Sequence, residues 1–119
     1  MIRGIRGAIT VEENTAAAMA EATQEMLRHI LERNQLDTEV IASALFTVTA
    51  DLDAMFPATA AREIGWDQVP MMCTNEIPVP GSLRRCIRVL LQVNTAVPQS
   101  DIRHVYLRKA VVLREDLNN

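Results

Sequence analysis

The sequence predicts an α+β fold: a mixed sheet of about five strands, with two or three helices covering one face. Three observations predict it. The N-terminal MIRGIRGAITV alternates in side-chain type, and residues 14–36 place apolar side chains at helical spacing. Two apolar runs, RRCIRVLLQV and HVYLRKAVVL, fill the last third of the chain. Most of the helical signal falls early, without repeat, low-complexity stretch or linker, so residues 1–119 read as a single domain.

In the first strand Met1, Arg3, Ile5, Gly7, Ile9 and Val11 share one face, and Ile2, Gly4, Arg6, Ala8 and Thr10 the other. Arg6 stands between Gly4 and Ala8, whose small size leaves room for a ligand; an edge arginine in solvent is the plainer alternative. The long helix follows in ENTAAAMAEATQEMLRHILERNQL, with Asn14 or Thr15 as N-cap and Met19, Thr23, Met26, Leu27, Ile30 and Leu31 on its apolar face. Its methionines read as core filler. LDTEVIASALFTVTAD predicts a short second helix capped by Asp37 or Thr38, running into a strand over 45–49. FPATAAREIGW predicts a helix with Pro57 in its first turn, Arg62 on its surface and Gly65 at its C-terminal end. A strand over 69–74 is ended by Pro78, Pro80 and Gly81. The strand RRCIRVLLQV, a turn at VPQSD and a last strand over 104–113 complete the sheet.

Composition narrows the function. With 49% hydrophobic and 23% charged residues the chain is an ordinary globular sequence. A net charge of -3 and a pI near 5.3 argue against a broad nucleic-acid or anionic-membrane surface, so any anion site is local. No apolar run approaches the ~20 residues of a membrane span, and the N-terminus lacks the core of a signal peptide, so a cytoplasmic location is expected. Cys73 and Cys86 have no CxxC or metal spacing and read as reduced thiols. His29 and His104, the two histidines, are far apart, which argues against a zinc or iron site. No Ser-His-Asp set, phosphate loop or dinucleotide fingerprint is present.

What stands out is arginine in or beside apolar strands: Arg6, Arg88 and Arg114, with Arg62 on the short helix. Alternation places Arg88 with Cys86, Leu90 and Gln92, and so apolar a run predicts a strand covered on both faces. An unpaired buried cation costs several kcal/mol, so Arg88 requires an anionic partner or ligand. Guanidinium forks bind carboxylates in a bidentate way, which points to a small carboxylate ligand; internal pairing with Glu76, Glu63 or an aspartate is the alternative.

Several ordered motifs then become specific. IRGIRGA at the start, FPA-x-A-x-R in the middle, C-x-x-E before a glycine turn, CIRV, and VPQ-x-x-IRHVYL-x-K-x-VVLR near the end resemble the monofunctional bacterial chorismate mutases of the trimeric α/β-barrel class, over nearly the whole chain. The resemblance implies a homotrimeric pseudo-barrel with helices outside and active sites between subunits. It implies the cofactor-free and metal-free Claisen rearrangement of chorismate to prephenate, on the way to phenylalanine and tyrosine. A unimolecular rearrangement needs no nucleophile, only a compact substrate conformer and well-placed charge.

Carried onto this sequence, the resemblance makes Arg88 the catalytic cation at the ether oxygen and Arg6 the carboxylate-binding arginine. Tyr106 matches a second carboxylate position and Glu76 the acceptor of the ring hydroxyl, with Cys73 and Thr74 as its pocket neighbours. Phe56, Ala58 and Arg62 match positions supplied by the neighbouring subunit, and Leu113 and Arg114 match the C-terminal closure. Parity sets Cys73 and Glu76 on opposite faces of an ideal strand, so placing both in one pocket implies irregular backbone near Asn75. Thr59 replaces a frequent lysine, and Met71 and Met72 replace smaller residues, which bears on binding at the cleft rim. A non-catalytic or deaminase-type carboxylate-binding trimer of similar architecture is the alternative reading.

Overall fold

The computed structural model describes residues 1–116, with side chains through residue 113. Its strands are β1 (Ile2–Thr10), β2 (Ile41–Val48), β3 (Met71–Asn75), β4 (Cys86–Asn94) and β5 (Val105–Leu107), and its helices α1 (Ala16–Asn34) and α2 (Pro57–Glu63). They form one mixed sheet in the order β3-β2-β4-β1-β5. The central strand β4 runs antiparallel to both neighbours, while the outer pairs β1/β5 and β2/β3 are parallel.

Local chemistry sets the helix ends. Thr15, in extended backbone, accepts the Ala18 N–H at 3.1 Å and so caps α1, whereas the neighbouring Asn14 ties down the loop at Asp53 and Ala54. At the other end Gln35 adopts a left-handed φ of 53°, and the Leu36 N–H closes on the Leu31 carbonyl at 2.9 Å. Pro57 opens α2, and Gly65, at φ 98°, ends that turn.

Two expected elements are corrected. The helix predicted from Asp37 is a single 3₁₀ turn, Thr38–Val40, and its Asp37 cap is real. From Ile41 the chain is already strand, because pairing with β4 buries Ile41, Ala44, Phe46 and Val48 and outweighs the helix preference of Ala and Leu. The last strand is three residues long instead of the whole of 104–113. Arg108 takes φ 56°, the Lys109 N–H bonds the Thr10 hydroxyl at 3.1 Å, and a 3₁₀ segment runs over Arg108–Asp116.

The core lies between the sheet and the helices. Ile5, Ile9, Phe46, Ile87, Leu91, Val93 and Val105 from the sheet meet Met19, Met26, Leu27 and Ile30 of α1, all inaccessible to solvent. The methionines fill the core as expected. Helix α1 sits so close to β1 that a Cβ on Gly7 would stand 2.6 Å from Ile30 Cδ1, 3.2 Å from Val89 Cγ1 and 3.3 Å from Met26 Cγ. Gly7→Ala relieves unfolded-chain entropy by ~0.4–1 kcal/mol, but overpacking of this kind costs ~1–3 kcal/mol, so the variant is expected to be less stable. A denaturant midpoint equal to the parent's would contradict that packing account.

The opposite face of the sheet is largely uncovered in the single chain. Leu45, Leu90 and Met72 are exposed there, along with Arg6, Arg88 and Gln92. Within the single chain, the expectation that β4 is covered on both faces is met on one face only. Ile87, Val89, Leu91 and Val93 are buried against the helices, while the Arg88 side chain is 45% exposed.

Candidate active site

Strand register assembles the open face. Thr74, Thr47, Arg88, Ala8 and Tyr106 are successive lateral neighbours, one from each of the five strands. Arg6 lies one step along β1 on the same face, opposite Leu90. A cavity of about 340 Å³ opens over this row, lined by Arg6, Thr47, Glu76, Arg88, Tyr106 and Leu113 among others.

Its centre is an ion pair. Arg88 donates from Nε to Glu76 Oε2 at 2.8 Å and from Nη2 to Oε1 at 2.7 Å, a bidentate fork that leaves Nη1 out of the pair. The Thr47 hydroxyl donates to Glu76 Oε2 as well. The Arg88 fork, helped by the Thr47 hydroxyl and against partial burial, holds the Glu76 carboxyl below its ordinary value; the same fork holds the Arg88 guanidinium above its own. Both groups are charged at neutral pH. Internal pairing with Glu76, one of the two open alternatives, thus exists in the single chain. With Arg88 half exposed, such a pair contributes ~0–1 kcal/mol to stability, so its weight lies in fixing geometry.

Neighbouring bonds fix where β4 begins. Arg85, in a left-handed conformation at φ 47°, donates its N–H to Asp51 Oδ1 and Oδ2 at 3.2 and 3.1 Å. The Cys86 N–H donates to the Thr49 hydroxyl at 3.0 Å. Burial works against Asp51 ionisation, yet the Thr49 hydroxyl and the Arg85 amide outweigh it and hold the carboxyl low. Cys86 itself is 3% exposed beneath Leu83, Tyr106 and Leu113, and burial pushes its thiol up to about 11, so it is a neutral packing group.

On the β1 side the Arg6 N–H donates to His104 Nδ1 at 2.9 Å. Burial, and then the Arg6 charge, lower the His104 pKa, which keeps the ring neutral and Nδ1 an acceptor. Arg108 donates to the Thr10 carbonyl at 3.1 Å and to Glu25 at 2.9 Å, anchoring the chain just after Tyr106 to both β1 and α1.

Of the residues singled out by sequence, Arg6, Glu76, Arg88, Tyr106 and Leu113 meet at this cavity. Cys73 does not line it: it packs against the core opposite Phe46. Pairing of β3 with β2 is regular through Asn75 and continues in the Glu76 N–H bond to the Val48 carbonyl at 2.8 Å, so the irregular backbone expected near Asn75 is not found. Thr74 shares the open face beside Thr47. Phe56 (69% exposed), Ala58 (buried in the core) and Arg62 (Nη2 to Thr59 Oγ1 at 3.4 Å) sit at α2, away from the cavity. The Arg114 side chain lies outside the described residues. Thr47, Leu45, Asn75, Ile77 and Leu90 line the cavity without having been assigned a role from sequence. For Thr47 the available signal was a hydroxyl on the opposite parity to Phe46 and Val48.

Among the described residues no group of three or more His, Cys, Asp or Glu is placed to hold a metal ion. No helix there is long and apolar enough to cross a membrane.

Comparison with known proteins agrees with this geometry. The family model of chorismate mutase type I matches residues 2–117. A Thermus thermophilus protein named chorismate mutase AroH is 56% identical over all of this chain and 98% of its own length. A Bacillus subtilis protein of the same name is 50% identical over 99% of this chain and 94% of its own. Among solved structures, a chorismate mutase from Clostridium thermocellum superposes with a TM-score of 0.90 at 53% identity, covering 92% of this chain and 97% of that one. With the fold, the arginine-lined cavity and these relatives in agreement, the chain belongs to the chorismate mutase type I family.

Proposed function

We propose that the open cavity of this chorismate mutase, an isomerase of aromatic amino acid synthesis, binds chorismate and rearranges it to prephenate, with Arg88 as the catalytic cation. The observation that carries the assignment is the Glu76-held Arg88 fork beside Arg6 on one open face. In the rearrangement the ether C–O bond breaks as a C–C bond forms within one molecule, so atoms balance without a second reactant or cofactor. Negative charge grows on the ether oxygen, where the Arg88 Nη1 group would meet it. A preorganised donor of this kind contributes ~3–4 kcal/mol to a transition state.

Arg6 binds a substrate carboxylate, Tyr106 also holds a substrate carboxylate, and Glu76 accepts the ring hydroxyl. The chain works as a homotrimer. The exposed Leu45, Leu90 and Met72 on the sheet face support burial against another copy, and a neighbour would bring Phe56, Ala58 and Arg62 toward each cavity, with Cys73 and Thr74 standing before Glu76 along β3. Leu113 closes its C-terminal side. Free thiols at Cys73 and Cys86 support a cytoplasmic location. The test is to mix the purified protein with chorismate and a chelator, follow the loss of its absorbance, and measure molar mass by light scattering. Conversion to prephenate by a species of three chains is expected; a folded protein that leaves chorismate unchanged would overturn the assignment.

A further inference from the structure

The Arg88 guanidinium offers a carboxylate two edges, Nε with Nη2 or Nη1 with Nη2, and in open solvent a glutamate exchanges between them. Only the first leaves Nη1 to meet the substrate. Glu76 takes this edge, and its Oε2, which accepts from Arg88 Nε, also accepts the Thr47 hydroxyl. Sliding to the other edge would pull Oε2 away from Nε and Thr47 together. Thr47 is well placed to resist this, since it lies opposite Arg88 in the β2/β4 register and its own strand is pinned between β3 and β4.

We propose that Thr47 is a positioning residue: its hydroxyl selects the Nε/Nη2 edge of Arg88 for Glu76 and so keeps Nη1 free for the reacting ether oxygen. This rests on the reading of Arg88 as the catalytic cation. A threonine in a strand is ordinarily explained by its branched Cβ, but valine meets that need equally well. Here both Glu76 oxygens are engaged, and three donors converge on one carboxylate. Among the described residues, the ionisable groups around Glu76 are Arg88 and Cys86 from β4, Arg6 from β1 and Tyr106 from β5, and β2 contributes none. Removal of the Thr47 hydroxyl therefore reads directly on the Glu76 titration.

The test compares Thr47→Val, which keeps the shape, with Thr47→Ser, which keeps the hydroxyl. Two readouts are taken: kcat and KM for chorismate, and the titration of the Glu76 carboxyl carbon by NMR. Thr47→Val is expected to lower kcat about tenfold with KM within about twofold, and to move the Glu76 titration up toward its ordinary value, while Thr47→Ser restores both. An unchanged kcat in Thr47→Val, or a Glu76 titration that superposes on the parent's, would overturn the proposal. If the parent protein does not turn over chorismate, the reading of Arg88 falls and the positioning role falls with it, while the titration still reports whether the Thr47–Glu76 bond exists.

Discussion

Arg88→Ala is expected to lower kcat/KM for chorismate by about a hundredfold or more while fold and oligomeric state persist. The two halves of that expectation have different physical sources. The half-exposed ion pair with Glu76 contributes at most ~1 kcal/mol to stability, so its loss moves a thermal midpoint by only a few degrees. In its proposed role the same cation would face, in a cavity closed around substrate, a charge that exists only in the transition state, and no other cation stands in the row from Thr74 to Tyr106. Arg88→Lys keeps the charge but not the planar fork, so it cannot hold Glu76 along one edge and present donors from the other. Steady-state kinetics on both variants, with circular dichroism and light scattering as folding controls, checks this. Turnover within a few-fold of the parent in either variant contradicts the role given to Arg88.

Glu76→Ala carries the second large effect, a loss of about ten- to a hundredfold in kcat, because a guanidinium freed from its partner samples orientations that miss the ether oxygen. The pH dependence follows with its sign. Glu76 has a folded pKa below its ordinary 4.5, so the ion pair stabilises the fold above that value and is lost as the pH falls through the lower, folded one. Activity that depends on ionised Glu76 should therefore stay level down to about pH 5 and decline only beneath the ordinary glutamate range. A rate profile that already falls as the pH drops through 6 would show that Glu76 is not held low by Arg88.

Much of this was readable from residue types. Alternation in MIRGIRGAITV placed Arg6 and Ala8 on one face, Asn14 and Thr15 announced the start of α1, which Thr15 caps, and Pro57 and Gly65 bracketed α2. What failed did so where distant contacts decide. IASALF has good helix formers, yet β4 pairs with it and makes it strand. Val111 and Val112 suggest a continuing strand, but Arg108, tied to Thr10 and Glu25, turns the chain away after Leu107. Arg88 was rightly expected to need an anion: in the single chain its face is open, and Glu76 reaches it from beyond the end of β3. Thr47 and Cys73 show the limit of pattern. Parity within each segment separates Thr47 from Phe46 and Cys73 from Glu76, but which face carries the cavity depends on the register of three strands.

In the proposed mechanism the cleft binds the transition state better than the substrate because Arg88 waits at the breaking ether bond. The most direct measurement is the affinity of a bicyclic ether dicarboxylate, shaped like the compact transition state, for the parent and for Arg88→Ala, set beside the affinity of each for chorismate. Affinity for the analogue is expected to fall by about the same factor as kcat/KM, a hundredfold or more, while affinity for chorismate falls far less. Equal losses for both ligands, or no loss for the analogue, would contradict it.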